Sequence, residues 1–318
     1  MSYELNTKLV IGISARALFD LREENRIFEE QGVDAYVNYQ VSHEEEPFKK
    51  GSGFALIRAL LNWNTLPGME NQVEVILLSH NSPEVSLRIY HSIEYYKLPI
   101  SRAVFVSGAS IAKYLDAFHT DLFLSACEED VQAAVDAGIA AGIICQKEFP
   151  IEDADVMEPL DPVVRIAFDG DAVLFSDESE RIFEEQGMEA FVNNERSNAC
   201  CPLPEGPFAR LLKKFATMRE NCKDASLPIR IALVTARCAP AHERVIRTLR
   251  EWKVQIDEAF FLGGIAKKDI LQAFGAHIFF DDQQIHTLLA ADAVPAARVP
   301  YRSRGQKQKE NETINISA

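Results

Sequence analysis

Asp169 and Asp171 stand on either side of Gly170, directly after the apolar run 166–168, and their spacing is the strongest sign of chemistry in this sequence. Gly170 lets the backbone come close to a bound group. Carboxylates at the end of a buried strand suit a hard cation and a phosphate. Alone, this segment is also typical of an acidic turn, so its interpretation depends on the rest of the chain.

Three later segments supply the other groups that such a site needs. They read LVTAR at 233–237, GGIAK at 263–267 and IFFDD at 278–282, and each follows an apolar, strand-like run. Transfer of a phosphoryl group requires a nucleophile, neutralised charge and in-line geometry. Four such elements in this order favour a phosphoryl-transfer site over a set of unrelated turns and surface charges.

Each candidate residue receives a role from its chemistry. Asp169 is the predicted nucleophile, which would form an aspartyl phosphate, and Asp171 is the predicted general acid and base. Thr235 would donate a hydrogen bond to phosphoryl oxygens, and Lys267 would offset the negative charge. Lys268 stays open as an alternative to Lys267, because the sequence does not distinguish the two.

A magnesium ion is the predicted cofactor, since carboxylate and carbonyl oxygens are among its usual ligands. The predicted metal ligands are Asp169, the carbonyl of Asp171, Asp281 and Asp282. The predicted substrate contacts are Gly170, Ala236 and Arg237. A helix N-cap pair is the simpler explanation of Asp281 and Asp282 when they are considered alone.

The chain contains an internal repeat. Residues 26–40 (RIFEEQGVDAYVNYQ) and 181–195 (RIFEEQGMEAFVNNE) are identical at ten of fifteen positions, at an offset of 155. The same offset, with one extra residue further along, aligns the apolar runs of the two halves. The first half keeps this apolar pattern without the carboxylates, so we expect it to fold alike and to catalyse nothing.

The repeat aligns each predicted site residue with a residue of the first half. The pairs are Ser14 with Asp169, Arg16 with Asp171, Ser79 with Thr235, Ile111 with Lys267, Ser125 with Asp281, and Ala126 with Asp282. The simplest role for the first half is structural, against an apolar face of the second. The alternative is that Ser14, Arg16 and Ser79 line a site for an anionic nucleotide effector.

Apolar runs alternate with amphipathic stretches, which predicts an α/β fold of two tandem Rossmann-like, parallel-sheet units. The predicted units are 1–150 and 151–302, with a helical cap inserted at about 176–228 and a disordered polar tail at 303–318. In the second unit, the candidate strands are 164–169, 229–235, 258–262 and 277–281. The candidate helices are 207–219, 240–252, 266–274 and 283–290.

Composition restricts the partners. The 318 residues carry a net charge of −15, which argues against nucleic acid or an anionic membrane as the main partner. We see neither a secretion signal nor an apolar stretch long enough to span a bilayer, and the six cysteines have no paired spacing. A cytoplasmic protein with reduced thiols is therefore expected, and a homo-oligomer stays open.

These segments resemble a known family. The second half is similar to the haloacid dehalogenase superfamily of aspartate-nucleophile phosphatases, and the whole chain resembles the cytosolic 5′-nucleotidase I family. The matching segments are ISARALF at 13–19, EQGVDAYVNYQ at 30–40, AFDGDAVLFSDESERI at 167–182, LVTAR at 233–237 and HIFFDDQ at 277–283. The resemblance implies magnesium-dependent hydrolysis of nucleoside 5′-monophosphates, AMP among them, in the cytoplasm.

The resemblance also assigns roles: nucleophile to Asp169, acid and base to Asp171, phosphate binding to Thr235, the lysine to Lys267, and the metal carboxylate to Asp282. The sequence AKKD at 266–269 departs from the Pro-Lys-Gly-like turn expected there. Two other functions stay open. One is a phosphatase for another small phosphoester, and the other is a nucleotide-sensing protein that uses the first half.

Overall fold

The computed structural model describes residues 4–147, 161–222 and 227–300; the predicted tail and most of the segment that links the predicted units lie outside these ranges. The strands are β1 (Leu9–Ser14), β2 (Phe19–Asp20), β3 (Lys49–Lys50), β4 (Val73–Ser79), β5 (Arg102–Phe105), β6 (Leu122–Ser125), β7 (Ala140–Ile144), β8 (Val164–Phe168), β9 (Ile229–Thr235), β10 (Glu258–Phe261), β11 (Ile278–Asp281) and β12 (Ala296–Arg298). The α-helices are α1 (Ala15–Leu18), α2 (Arg22–Gln31), α3 (Val33–Ser42), α4 (Phe54–Asn62), α5 (Leu87–Tyr95), α6 (Ala112–Leu115), α7 (Glu128–Asp136), α8 (Glu178–Ser197), α9 (Ala209–Asn221), α10 (His242–Glu251), α11 (Lys268–Phe274) and α12 (Gln284–Ala290).

Ten of the strands form one sheet, in the order β10-β9-β8-β11-β12-β7-β6-β1-β4-β5. All neighbours in it pair in parallel except β7 and β12, which pair antiparallel. Each half therefore has the same strand order from its outer edge to this central pair, in agreement with the internal repeat. The α/β class with a mostly parallel sheet is confirmed; the assignment to haloacid dehalogenase-like units stays a prediction.

The halves meet edge to edge, and one apolar cluster spans both. Strand β1 is buried along its whole length, as expected for a parallel strand covered by helices on both faces. Helix α4 of the first half contacts β8 of the second, and Trp63 Nε1 at its end donates to the carbonyl of Pro162 at 3.2 Å. The first half thus extends the sheet of the second half, besides covering part of its apolar face.

The four candidate strands and four candidate helices of the second half are present, with bounds within two residues of the predicted ones. The predicted cap at 176–228 has two differently packed parts. Helix α9 packs Leu211, Leu212 and Phe215 into the apolar cluster, whereas α8 exposes Phe183 and Met188. Only α8 is therefore free to cover a site at the end of the sheet. Among the described residues, none of the helices combines the length and apolarity needed to cross a bilayer.

The backbone conformation explains why the repeated RIFEEQG segment ends in glycine. Gly32 has φ 84° where α2 ends and α3 begins, and Gly187 has φ 82° at a break within α8. Side chains other than glycine rarely adopt this backbone conformation. The repeat therefore encodes the same broken helix in both halves.

Candidate active site

The candidate site lies at the carboxyl ends of three neighbouring strands, β9, β8 and β11. Asp169 follows β8, Thr235 ends β9 and Asp281 ends β11. The amide of Asp169 donates to the carbonyl of Phe280 at 2.8 Å, which continues the pairing of β8 with β11. Because parallel strands end at the same edge of the sheet, residues far apart in sequence meet here.

A single wide turn at Gly170–Leu174 carries the second aspartate. The amide of Phe175 donates to the carbonyl of Gly170 at 2.9 Å, and Ala172 has φ 58°. Asp171 itself has an extended backbone (φ −69°, ψ 143°), and the chain turns at Ala172, directly after it. A Cβ added to Gly170 would lie 3.4 Å from Thr235 Oγ1, which is ordinary contact, so packing alone does not require glycine there.

Lys267 lies inside the carboxylate cluster. Its Nζ donates to Asp281 Oδ2 at 2.7 Å and lies 3.0 Å from Asp169 Oδ1, and only 7% of the side chain is exposed. Burial alone would lower the pKa of this amine, but the charges of Asp169 and Asp281 raise it above its ordinary value. Lys268 is exposed and lies 3.8 Å from Asp292, so the structure brings Lys267, and not Lys268, to the predicted nucleophile.

The pKa values of Asp169 and Asp281 are shifted in opposite directions. Burial raises the pKa of Asp169 to about 7; Asp281 and Asp171 add to the shift and Lys267 opposes it. Burial also acts on Asp281, but the nearby His286 imidazole and the hydrogen bond and charge of Lys267 hold the pKa of Asp281 below its ordinary value. His286 Nδ1 lies 3.4 Å from Asp281 Oδ2. A cation near Asp169 would therefore meet one carboxylate that is already ionised and one that it helps to ionise.

Asp169, Asp281 and Asp282 fit a divalent cation. They are buried, and one carboxylate oxygen of each lies within 4.8 Å of the others. Asp169 Oδ1 is buried and receives no hydrogen bond from the described residues, although the ammonium of Lys267 is near. Carboxylate oxygens at this spacing are the donors that Mg²⁺ prefers. The donor set fits the predicted magnesium ion, and the side chain of Asp171 lies outside it.

Arg237 is buried and joins Asp171 to Glu195. Its Nε and Nη2 donate to the two carboxylate oxygens of Asp171 at 2.7 and 2.6 Å, and its Nη1 donates to Glu195 at 2.5 Å. Burial alone would lower the pKa of Arg237, but the two carboxylates raise it above its ordinary value. The sequence predicted a substrate contact for this residue and did not predict that the arginine would first be bound by two acids.

Three functional candidates escaped the sequence analysis: Glu195, Arg244 and Phe191. Glu195 is buried on α8 and accepts hydrogen bonds from Ser179 and from Arg244 Nη1 at 2.8 and 3.1 Å. Burial raises the pKa of Glu195, but Arg237 and the other donors bring it below its ordinary value. The available signal was the repeat, where residue 195 is a glutamate and residue 40 a glutamine.

Phe191 places an aromatic face at the site. The guanidinium carbon of Arg237 lies 5.4 Å from the centre of its ring, and Phe183 meets Phe191 edge to face at 6.4 Å. Gln283, just after β11, donates to Glu180 near the start of α8 at 2.8 Å. These contacts hold α8 over the strand ends that carry the carboxylates.

The side chains of Thr235 and Asp281 are held by the same kind of hydrogen bond. Thr235 Oγ1 accepts the amide of Arg237 at 3.2 Å, and Asp281 Oδ1 accepts the amide of Gln283 at 2.9 Å. Each side chain thus satisfies the backbone two residues later. Among the residues that the structure describes, none accepts the hydroxyl hydrogen of Thr235, which can therefore donate to a bound group.

Comparisons with known proteins identify the family of this chain. A model of the 5′-nucleotidase family matches residues 1–306. Cytosolic 5′-nucleotidase 1B of Homo sapiens is 36% identical over 291 residues, which cover 87% of this chain and 46% of that protein. The chain therefore spans about half the length of that curated relative.

Among solved structures, "Structure of Pnkp1/Rnl/Hen1 complex" contains a chain similar at 12% identity and a TM-score of 0.31, with 95% of this chain and 99% of that chain covered. A similarity this weak says nothing about fold or function. The family match over residues 1–306 and the 36% identity, in contrast, identify the family. This chain belongs to the cytosolic 5′-nucleotidase I family.

Proposed function

We propose that the second half hydrolyses nucleoside 5′-monophosphates, with AMP among them, to the nucleoside and phosphate. The observation that carries this proposal is the meeting of Asp169, Lys267, Asp281 and Asp282 in one buried cluster at the strand ends. A family name describes a class of reaction, whereas this cluster offers a nucleophile, a cation and a metal site for it.

Asp169 is the proposed nucleophile. Its Oδ1 lies 3.0 Å from the ammonium of Lys267 and has no other polar partner among the described residues, so a lone pair remains available to attack phosphorus. The new bond joins this oxygen to phosphorus, the bond from phosphorus to the nucleoside 5′ oxygen breaks, and Asp171 gives that oxygen its proton. Water then attacks the aspartyl phosphate, releases phosphate and restores the carboxylate.

The neighbouring groups hold the phosphate and its charge. Thr235 would donate its free hydroxyl hydrogen to a phosphoryl oxygen, and Lys267 would balance charge that develops in the transition state. Asp169, Asp281 and Asp282, with the carbonyl of Asp171, are the proposed magnesium ligands. A bound magnesium ion would neutralise phosphate charge beside these carboxylates.

Asp171 is the proposed acid and base, and Arg237 controls its access. Both carboxylate oxygens of Asp171 accept from Arg237, so one lone pair of each oxygen is occupied and the carboxylate is held in place while the pair is intact. We propose that a bound phosphate attracts Arg237 and frees one oxygen of Asp171. Glu195 keeps the guanidinium within reach of both positions.

Helix α8 forms the proposed cap, and its aromatic residues would contact the nucleoside. Phe191 lies against Arg237, and Phe183 completes an edge-to-face pair with an exposed ring. A flat base can stack on such a surface. We also propose that both halves are haloacid dehalogenase-like units and that the protein is cytoplasmic, as the name of its human relative says of that protein.

The test is phosphate release from a panel of nucleoside monophosphates and sugar phosphates, with magnesium and with a chelator. We expect magnesium-dependent release that favours the nucleoside monophosphates, and none from Asp169→Asn. Faster release from sugar phosphates would replace this proposal with a general small-phosphoester phosphatase. Full activity in chelator would contradict the magnesium site.

A further inference from the structure

A cavity of about 500 Å³ lies in the first half, at the carboxyl ends of β1, β4 and β6. In strand order these correspond to β8, β9 and β11, whose ends carry the candidate active site. The cavity therefore occupies the position in the first half that the carboxylate cluster occupies in the second. Its lining decides what it can bind.

Three buried serines form its floor: Ser14, Ser79 and Ser125, which are 6%, 3% and 1% exposed. Each hydroxyl oxygen accepts one backbone amide, from Ala17, Asn81 and Cys127 respectively, at 3.3, 3.2 and 3.1 Å. Within the described ranges none of the three hydroxyls donates a hydrogen bond. Three buried donors on adjacent strands are thus available to one ligand.

Asn81 adds a fourth donor. Its Oδ1 accepts from the hydroxyl of Tyr36 at 2.9 Å, and Gln40 in turn donates to that hydroxyl at 3.0 Å, which sets the orientation of the amide. Its Nδ2 is buried and has no hydrogen-bond partner among the residues that the structure describes. A buried donor without a partner is costly, and a ligand oxygen would satisfy it.

The charge around this floor favours an anion, and the proposed metal carboxylates of the second half have the uncharged counterparts Ser14, Ser125 and Ala126 here. The one acid among the lining residues, Glu24, is held by Arg88 at 2.9 Å. His80 also lines the cavity; its hydrogen bond to Asp130 raises the pKa of the imidazole to about 10, and the ionised Asp130 balances the charge of this imidazolium. Arg16 adds an exposed guanidinium. Hydroxyl, amide and cationic donors are typical of oxyanion sites.

The wall of the cavity is apolar and aromatic. Phe28 and Val33 line it although they are 47% and 60% exposed, and Phe28 meets Tyr36 edge to face at 5.8 Å. The repeat aligns Phe28 with Phe183 and Tyr36 with Phe191. Phe183 and Phe191 form the same kind of edge-to-face pair beside the candidate active site. A flat apolar group fits against such rings.

We propose that this cavity is a second, non-catalytic site for a small organic oxyanion: a phosphate or carboxylate head on a flat apolar body, bound without a metal. The serines and Asn81 hold the head, and Phe28 with Tyr36 holds the body. No hydrolysis is expected there, because the repeat puts Arg16 and Ile111 at the positions of the proposed acid and base and of Lys267. This site does not depend on the proposed hydrolysis in the second half.

The test uses the full chain as Asp169→Asn, so that AMP is not consumed, in buffer with EDTA. Calorimetric titrations use AMP as head and body together, inorganic phosphate as head alone, and adenosine as body alone. We expect AMP to bind at least about tenfold more tightly than either part. Ser14→Ala with Ser125→Ala should weaken AMP binding by about tenfold or more. Ser101→Ala, which removes a hydroxyl outside the cavity, should not.

Val33→Trp and Met188→Trp form a matched pair, because the repeat aligns two exposed positions that are 60% and 58% exposed. Val33→Trp should abolish AMP binding in EDTA, and Met188→Trp should leave it unchanged. The site is overturned if AMP does not bind in EDTA, if the serine variant binds like its parent, or if only Met188→Trp removes binding. If the wild-type chain releases no phosphate but shows this binding pattern, the proposed hydrolysis is wrong and the proposed second site stands.

Discussion

The two halves share a backbone arrangement and differ in the charge at the same edge of the sheet. Thr235 and Ser79 each accept the amide two residues later, and so do Asp281 and Ser125. In the second half, Asp169, Asp281 and Asp282 form a carboxylate cluster, and Lys267 contacts the first two of them. In the first half, hydroxyls replace two of these acids and alanine replaces the third. The backbone at the strand ends is thus the same in both halves, and the side chains that could do chemistry differ.

The residue aligned with Lys267 shows how the two kinds of site depend on their neighbours. Ile111 is fully buried in an apolar cluster of the first half. A lysine there, without the carboxylates, would be a buried and unpaired charge, which costs several kcal/mol. The loss of the acids and the loss of the lysine are therefore one linked change.

Asp169→Asn should have the largest effect on the difference between the halves. The amide keeps the shape but cannot attack phosphorus, so kcat should fall by about 10⁴-fold or more. Phosphate release measures it, with Asp292→Asn on the surface as the control. Activity within about tenfold of wild type in a folded variant would mean that Asp169 is not the nucleophile.

Lys267→Met should lower kcat/KM by about 10² to 10³-fold, because it removes the cation between Asp169 and Asp281. Lys268→Met is the matched control, and its kcat/KM should stay within about twofold of wild type. The Lys268 side chain is exposed, and its ion pair with Asp292, at 3.8 Å, is weak. Steady-state kinetics on both variants decide the matter. A larger loss in Lys268→Met would reverse the choice of lysine.

Gly206→Ala should destabilise the second half, because a Cβ there would lie 2.3 Å from the carbonyl oxygen of Phe175. Gly51→Ala is the equivalent change in the first half, where the added Cβ would lie 2.7 Å from the carbonyl carbon of Phe19. Each should lower the free energy of unfolding by about 2–4 kcal/mol in denaturant titrations. Gly170→Ala is the control and should cost about 1 kcal/mol or less. Equal stability of all three variants would contradict this packing.

Glu195→Gln puts into the second half the residue that the first half has at position 40. Arg237 would keep Asp171 as its only acid partner and hold it more tightly. We expect kcat to fall by about tenfold with a smaller change in KM, and the pH profile of kcat to shift. Glu189→Gln, an exposed change on the same helix, is the control. An unchanged pH profile would limit Glu195 to a purely structural role.

His80 should give the smallest effect. Its pKa is raised to about 10 in the folded protein, so its ion pair with Asp130 stabilises fully below its ordinary value of 6.5 and is lost as the pH rises through 10. His80→Gln should therefore lower the free energy of unfolding at pH 6 to 7 but not above pH ~10.5. Because the side chain is 37% exposed, the difference should be about 1 kcal/mol or less. A difference that does not vary with pH would exclude this pair as its cause.

The sequence by itself determined the repeat, the strands and helices of the second half and the residues of the carboxylate cluster. These follow from local patterns: an apolar run specifies a buried strand, and the residue after it lies at the carboxyl end of the sheet. The sequence alone therefore predicts that Asp169, Asp281 and Asp282 lie together. The equal strand order of the halves follows from the repeat in the same way.

Only the tertiary structure decided the contacts between distant side chains. Lys267 and Lys268 are neighbours with the same chemistry, and only their burial against Asp169 separates them. The pairing of Arg237 with Asp171 and Glu195 joins three segments far apart in sequence. The antiparallel join of β7 to β12 and the donor-lined cavity of the first half arise likewise. Local patterns do not encode them, because each depends on how whole elements pack and on which charges remain buried together.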